Sequence, residues 1–196
     1  MKTNHLILLF FLLLFLINYY DLFYILDPVR QIGKEPTFGT YVIYNFSFRL
    51  VFYGSKFFSL ALLLYGSSML WNLKLNDESS SFGKIFKIVV TLEYIYLLAK
   101  TCKIIYFQFI HTSYTFDDYI NFFPLSFYSP TSQNGYLLNQ MSKDFSAFDF
   151  VYIICMILGV RNIYDISSTK SVLFVLQSYI LPLILWITFL NFIGII

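Results

Sequence analysis

Residues 6–17 read LILLFFLLLFLI, twelve apolar side chains without a polar interruption. A bilayer core of about 30 Å needs about 20 mostly apolar residues in one helix, and this run with its neighbours, about residues 5–26, reaches that length. Four more apolar stretches follow, at about 50–71, 85–110, 145–160 and 172–196. The sequence therefore predicts an all-α integral membrane bundle of about five transmembrane helices, with residues 1–196 as one membrane domain.

The composition points to the same class. The chain is 58% hydrophobic, 22% aromatic and 12% charged, whereas a soluble domain has roughly 25% charged residues. The formal net charge of +2 and the scattered basic residues exclude the basic surface that nucleic acid requires. Cys102 and Cys155 lie inside apolar stretches, where free cysteine behaves as a small hydrophobic residue. The lipid bilayer is the first expected partner.

The first span has two interpretations, a cleaved signal peptide or a retained helix. A short basic start precedes the apolar run, which suits both. The polar residues that follow the run include Asn18 and Asp21, and no pair of small residues marks a cleavage site. These features favour a retained signal-anchor.

Basic residues beside the spans orient membrane helices. With the N-terminus inside, Lys2, Lys74, Lys84, Lys87, Arg161 and Lys170 lie inside, and Arg30, Lys34, Arg49 and Lys143 lie outside. This excess favours a cytoplasmic N-terminus and an external C-terminus. It also makes the connection between the third and fourth spans external.

That external connection, residues 111–146, is rich in aromatic side chains. Disordered segments are poor in aromatics, so we expect an ordered loop that packs on the membrane surface or on a protein partner. The adjacent aspartates could bind a hard cation or cap a helix that begins near Tyr119. The candidate partner-binding residues of this loop are Asp117, Asp118, Phe122, Phe123, Pro124 and Tyr128.

Charged residues inside the predicted spans form a candidate polar cluster. Such residues cost about 2.5 to 3.5 kcal/mol each near mid-membrane and mark pathways or buried pairs. One interpretation is an ion path or polar cavity with acidic acceptors. The other, which the sequence favours, is that the lysines snorkel to the outer headgroups while Asp149 neutralises one of them. The candidate residues are Lys56, Glu93, Lys100, Lys103 and Asp149.

Residues suited to catalysis or cofactor binding are isolated in this sequence. His5 and His111 have no second metal ligand at helical or turn spacing, and the two cysteines are far apart. We find neither a P-loop nor a Gly-x-Ser-x-Gly nucleophile elbow. The sequence therefore predicts no metal, no cofactor and no enzymatic activity.

Two stretches resemble the Yip1-type family of membrane proteins. Residues 82–89, FGKIFKIV, lead from a polar turn into a span, and residues 148–160, FDFVYIICMILGV, form a short span closed by glycine. A polar turn to Lys170 and a terminal apolar span follow the second stretch. The resemblance covers about half of the chain. It implies five spans, a cytosolic N-terminus and no catalytic residues.

Together these features predict a non-catalytic multi-pass membrane protein, an accessory or scaffold subunit of a larger membrane complex. Aromatic residues of the external loop suit a protein interface and a membrane boundary equally well. The alternative is a small transporter or channel with a polar path through the outer half of the bundle. A membrane enzyme would need positioned catalytic groups, which we do not find. The small size of the chain favours a bacterial inner membrane.

Overall fold

The computed structural model describes residues 3–21, 38–73, 81–114, 118–119, 122, 124–126 and 146–192. Regular structure in these ranges is helical, apart from one isolated antiparallel bridge between Ser126 and Ser146. The prediction of an all-α protein is therefore confirmed. The helices are α1 Thr3–Tyr20, α2 Phe38–Leu70, α3 Ser81–Ile105, α4 Ala147–Tyr164, α5 Ser168–Val175 and α6 Leu181–Phe192.

Two π-helical turns extend these helices. Tyr106–Ile110 continues α3, and Leu176–Ile180 joins α5 to α6. Right-handed helical backbone runs through both ends of the second turn, at Val175 and at Leu181. Residues 168–192 therefore form one continuous helical segment.

Four helical stretches are long and apolar enough to cross a membrane, namely Thr3–Tyr20, Phe46–Leu70, Ala147–Tyr164 and Ser168–Trp186. They overlap the first, second, fourth and fifth predicted spans. The predicted ends at 22–26 and 193–196 lie outside the described residues. Large apolar side chains on these helices face outward, such as Leu8 at 71% and Leu185 at 61% exposure. This surface is compatible with a multi-pass membrane protein.

The third predicted span has a different character. Helix α3 covers it, yet it carries too many charged side chains to belong with the four apolar stretches. It is instead the central helix, and it packs against α1, α2 and α4. The described structure thus has four apolar helices of spanning length and one charged helix among them.

Contacts along α3 show the directions of its neighbours. As the residue number rises on α3, the number of the contacting residue rises on α1 and falls on α2 and α4, so α1 is parallel and the other two are antiparallel. The contacting pairs are Leu6–Tyr94 and Asn18–Lys100 for α1, Tyr65–Phe82 and Lys56–Glu93 for α2, and Gly159–Ile88 and Asp149–Tyr96 for α4. The helices α1, α2, α3 and α4 therefore alternate in direction.

Aromatic side chains fill much of the space between the helices. Phe10 of α1 is fully buried and meets the rings of Tyr53, Phe57 and Tyr94 edge to face, with centroids 5.1 to 5.5 Å apart. Such pairs contribute about 0.5 to 1.5 kcal/mol beyond the burial of their area. They join α1, α2 and α3 around one buried ring.

Candidate functional site

A cluster of polar side chains lies between α2, α3 and α4, and we call it the central cluster. It consists of Lys56, Glu93, Tyr96, Asp149 and Tyr152. Glu93 is completely buried, and both oxygens of its carboxylate accept a hydrogen bond. Lys56 Nζ donates to Oε2 at 2.9 Å, and the Tyr152 hydroxyl donates to Oε1 at 3.1 Å. The buried negative charge is therefore paired and hydrogen-bonded.

The same cluster reaches the start of α4 through Tyr96. The Lys56 ammonium lies 4.6 Å from the centre of the Tyr96 ring, a distance at which a cation is attracted to the ring face. The Tyr96 hydroxyl donates to Asp149 Oδ1 at 2.8 Å. Asp149 Oδ2 accepts from the backbone N–H and the hydroxyl of Ser146, both at 2.7 Å. Asp149 thus completes a capping box at the N-terminus of α4.

A second group of polar side chains joins the ends of α1 and α3, and we call it the loop-side cluster. Lys100 Nζ lies 3.0 Å from Asp21 Oδ2 and also donates to the side-chain oxygen of Asn18. The Tyr119 hydroxyl donates to the other oxygen of Asp21. Lys103 Nζ lies 4.2 Å above the Tyr119 ring. Asp21 is 7% exposed. Its carboxylate is therefore almost completely buried between the end of α1 and the loop that follows α3.

The loop beyond α3 packs onto this cluster through aromatic rings. Phe122 stacks on Tyr106 with centroids 4.3 Å apart, and Tyr114 meets Phe107 at 4.6 Å. Burial raises the pKa of Tyr119, and the negative charge of Asp21 raises it further. The same two causes, burial first, raise the pKa of Tyr114. Both hydroxyls therefore remain protonated at neutral pH.

The two clusters differ in their position along the helices. Lys56 lies ten residues from Phe46 and fourteen from Leu70, the ends of the apolar stretch of α2. At 1.5 Å per residue these separations are about 15 Å and 21 Å. The Lys56–Glu93 ion pair therefore lies near the middle of the stretch. Lys100 and Lys103 lie at the loop-side end of α3.

The five candidate intramembrane residues thus divide between two places. Lys56, Glu93 and Asp149 belong to the central cluster, while Lys100 and Lys103 belong to the loop-side cluster. Glu93 and Lys100 are seven residues apart, a spacing that predicts one helix face. In the structure they pair with different helices, because Lys56 belongs to α2 and Asp21 follows α1.

Sequence reasoning missed several members of both clusters. Tyr96 and Tyr152 were not singled out, because the chain has 17 tyrosines and nothing in their spacing separates these two from the others. Tyr119 was named only for the helix expected to begin near it. Asp21 had one visible signal, since it is the first carboxylate after the long apolar run. An acidic residue at the end of a span is a candidate partner for a basic residue on a neighbouring helix.

The candidate partner loop is described only in part. Asp118 is exposed, and Phe122 and Pro124 are half-buried. Asp117, Phe123 and Tyr128 lie outside the described residues. The described portion supports packing against the end of α3, through Phe122 and Tyr119.

Metal-binding residue types are dispersed where the structure describes them. Within those ranges, no three of His, Cys, Asp and Glu come together as a possible metal-ligand group. The imidazole of His111 is exposed and stacks on Tyr106 at 6.0 Å. Cys102 is an exposed free thiol, and Cys155 is a half-buried one.

No family model, no curated protein and no solved structure matches the chain.

Proposed function

We propose that this chain is a non-catalytic, multi-pass membrane protein that serves as an accessory or scaffold subunit of a larger membrane complex. The observation that carries the proposal is the pairing of the buried charges of α3. Glu93 is bound by Lys56 of α2, and Lys100 is bound by Asp21 at the end of α1. Ion pairs between helices hold a bundle together in a medium where an isolated charge is costly. These side chains thus serve as structural links.

The proposal includes α3 as a fifth, central span. Its 25 residues correspond to about 37 Å of helix, enough for a hydrocarbon core of about 30 Å. Glu93, near the middle of α3, pairs with Lys56 of α2, and Lys100, toward the loop-side end, pairs with Asp21 after α1. The alternating directions of α1, α2, α3 and α4 support a chain that crosses the same layer each time. The N-terminus is then cytoplasmic, the C-terminus and the aromatic loop are external, and the host is a bacterial inner membrane.

The topology is tested by cysteine labelling in a background that lacks Cys102 and Cys155. Asn72→Cys, at an exposed position, probes the turn before α3, and Thr112→Cys probes the connection after α3. We expect a membrane-impermeant maleimide to label Thr112→Cys in intact cells and Asn72→Cys only after the membrane is opened. Equal labelling of both positions from one side would exclude α3 as a span.

The subunit role is tested by a pull-down of the tagged chain from its native membrane in mild detergent, followed by mass spectrometry. We expect another membrane protein in stoichiometric amount. An unrelated multi-pass protein with the same tag and expression level serves as the control. A chain that purifies alone or only with copies of itself would contradict the proposal.

A second candidate function, a small transporter or channel, is favoured by one feature of the central cluster. Hydrogen bonds run from Tyr152 to Glu93 near mid-depth and from Tyr96 to Asp149 at the start of α4. The rings of the two tyrosines lie 5.0 Å apart. Glu93→Gln and Asp149→Asn separate the two functions in reconstituted vesicles. Loss of ion or solute flux from a correctly folded bundle would establish transport, whereas a reduced folding yield alone would assign both carboxylates to structure.

The relationship to the Yip1-type family belongs to the same proposal. It is supported by the order of features from the turn before Phe82 to the terminal apolar helix. Its implications, five spans, a cytosolic N-terminus and no catalytic residues, coincide with the arrangement proposed for this chain. The labelling experiment on Asn72 and Thr112 tests the number of spans and the side of the membrane on which the loop after α3 lies.

A further inference from the structure

The Lys56 side chain is partly exposed on the surface of the bundle, although it lies near the middle of the apolar stretch of α2. Its ammonium has three N–H donors, of which one is directed to Glu93, while the Tyr96 ring covers another part of the group. The side chain is still 36% exposed. Hydrocarbon offers no acceptor for the remaining donors, and a partly exposed charge at this depth is unfavourable. Lipid chains are therefore a poor cover for this position.

The outward surface of α2 beside Lys56 has the pattern of a helix–helix seam. Five exposed residues on it follow one another at spacings of three and four, which is the 3.5-residue repeat of packed helices. We call this surface the outward α2 face. Three of its members are small, which lets another backbone approach closely in a membrane. The face consists of Phe52, Ser55, Ser59, Leu62 and Gly66.

The outward α2 face has polar side chains near Lys56 and open space at Gly66. Phe52 and Ser59 lie four and three positions from Lys56, so the exposed lysine borders this face. A Cβ atom added at Gly66 would meet no atom within 4 Å. A second helix could therefore lie along the outward α2 face and reach the ammonium of Lys56.

We propose that the outward α2 face binds a transmembrane helix of a partner subunit, and that this helix carries a hydrogen-bond acceptor opposite Lys56. The acceptor is a carboxamide or carboxylate oxygen at mid-depth. It must come from outside the central cluster, because Glu93 is completely buried and lies away from the exposed part of the Lys56 side chain. This inference rests on the proposed role as an accessory subunit and names the surface and the chemistry of the partner.

A second copy of the chain does not meet these requirements. In a two-fold symmetric contact the same surface patch meets itself, so Lys56 would face Lys56. Two ammonium groups have donors but no acceptor for each other. A two-fold contact between copies therefore does not supply the acceptor, and the proposed partner is a different protein.

The contact is tested by a photo-crosslinking amino acid at Ser59 in the full chain, in native membranes. The matched control is the same amino acid at Leu12, which is 52% exposed near the middle of α1. We expect one discrete protein adduct from Ser59, mapped by mass spectrometry to an apolar helix of the protein that co-purifies in stoichiometric amount. Leu12 should yield lipid adducts only. Lipid adducts alone from Ser59, or an adduct of twice the chain's mass, would overturn the proposal.

Two variants test the contact independently of crosslinking. Ser59→Phe fills the outward α2 face and leaves the ion pair intact, while the double variant Lys56→Met/Glu93→Gln removes the donor without leaving a buried charge. We expect each to lower the amount of co-purified partner by roughly three- to tenfold. Leu12→Phe should leave it unchanged. If the partner still co-purifies at the original level from both variants, the proposed contact on the outward α2 face is wrong and the subunit role stands. If no partner co-purifies with the wild-type chain, both the proposed contact and the subunit role are wrong.

Discussion

Removal of the Lys56 ammonium is the most informative perturbation of the fold. Glu93 is completely buried, and Lys56 supplies its only positive partner among the described contacts, at 2.9 Å. In Lys56→Met the apolar stem is replaced by a side chain of similar length, so packing is largely kept. Among the described contacts, the carboxylate then keeps the hydrogen bond from Tyr152. The variant therefore isolates the loss of the counter-charge.

The expected loss follows from the burial of the two partners. Breaking a buried ion pair by removing one member costs about 3 to 5 kcal/mol, because the other charge is left uncompensated. The hydrogen bond from Tyr152 remains, so we expect about 3 kcal/mol, the lower end of that range. In Lys56→Met/Glu93→Gln no charge is left in the pair, and we expect a loss of about 1 to 2 kcal/mol. The double variant should thus be more stable than Lys56→Met.

The assay is reversible unfolding of the purified chain in mixed micelles of mild detergent and sodium dodecyl sulfate, followed by the fluorescence of Trp71 and Trp186. Lys87→Met is the matched control, since Lys87 is an exposed lysine on α3, and its loss should change stability by less than about 0.5 kcal/mol. Equal stabilities of Lys56→Met and Lys87→Met would refute the structural role of the ion pair. A double variant less stable than Lys56→Met would refute the argument from the uncompensated charge.

Two further predictions concern helix packing and the loop. A Cβ atom at Gly159 would lie 2.8 Å from Cδ1 of Ile88, so Gly159→Val should destabilise the α3–α4 contact by about 1 to 3 kcal/mol in the same unfolding assay. The control is Gly66→Val, because the space around Gly66 is open. Equal effects of the two variants would contradict the close approach of α3 and α4 at Gly159. Tyr119→Phe removes the hydrogen bond to Asp21, and we expect a local loss of about 1 to 3 kcal/mol, measured as faster limited proteolysis between α3 and α4. An unchanged cleavage rate would show that this bond does not hold the loop.

The helices were predictable because their signal is local. The apolar run at 6–17 and the stretch before Arg161 each contain, within one segment, the length and composition that a bilayer crossing requires. The structure places Thr3–Tyr20 and Ala147–Tyr164 there. The third predicted span was harder to interpret. Helix α3 is long enough to cross a bilayer, but it carries more charged side chains than the four apolar stretches do.

The partners of the charged residues were not predictable in the same way. Glu93 meets Lys56 across 37 positions of the chain, and Lys100 meets Asn18 across 82. Periodicity specifies which residues share a face of one helix, but it carries no information about which neighbouring helix covers that face. The seven-residue spacing of Glu93 and Lys100 therefore suggested one cluster, where the structure has two.

The sequence by itself determined that this chain forms apolar helices of membrane-spanning length, because each helix must satisfy its own backbone hydrogen bonds and match the thickness of the bilayer within one continuous segment. Only the tertiary structure decided that α3 lies at the centre, that Glu93 is neutralised by Lys56, and that Asp21 joins the end of α1 to the loop. Those pairings depend on the distances between helices that are remote in sequence, and such distances are fixed by the packing of the whole bundle.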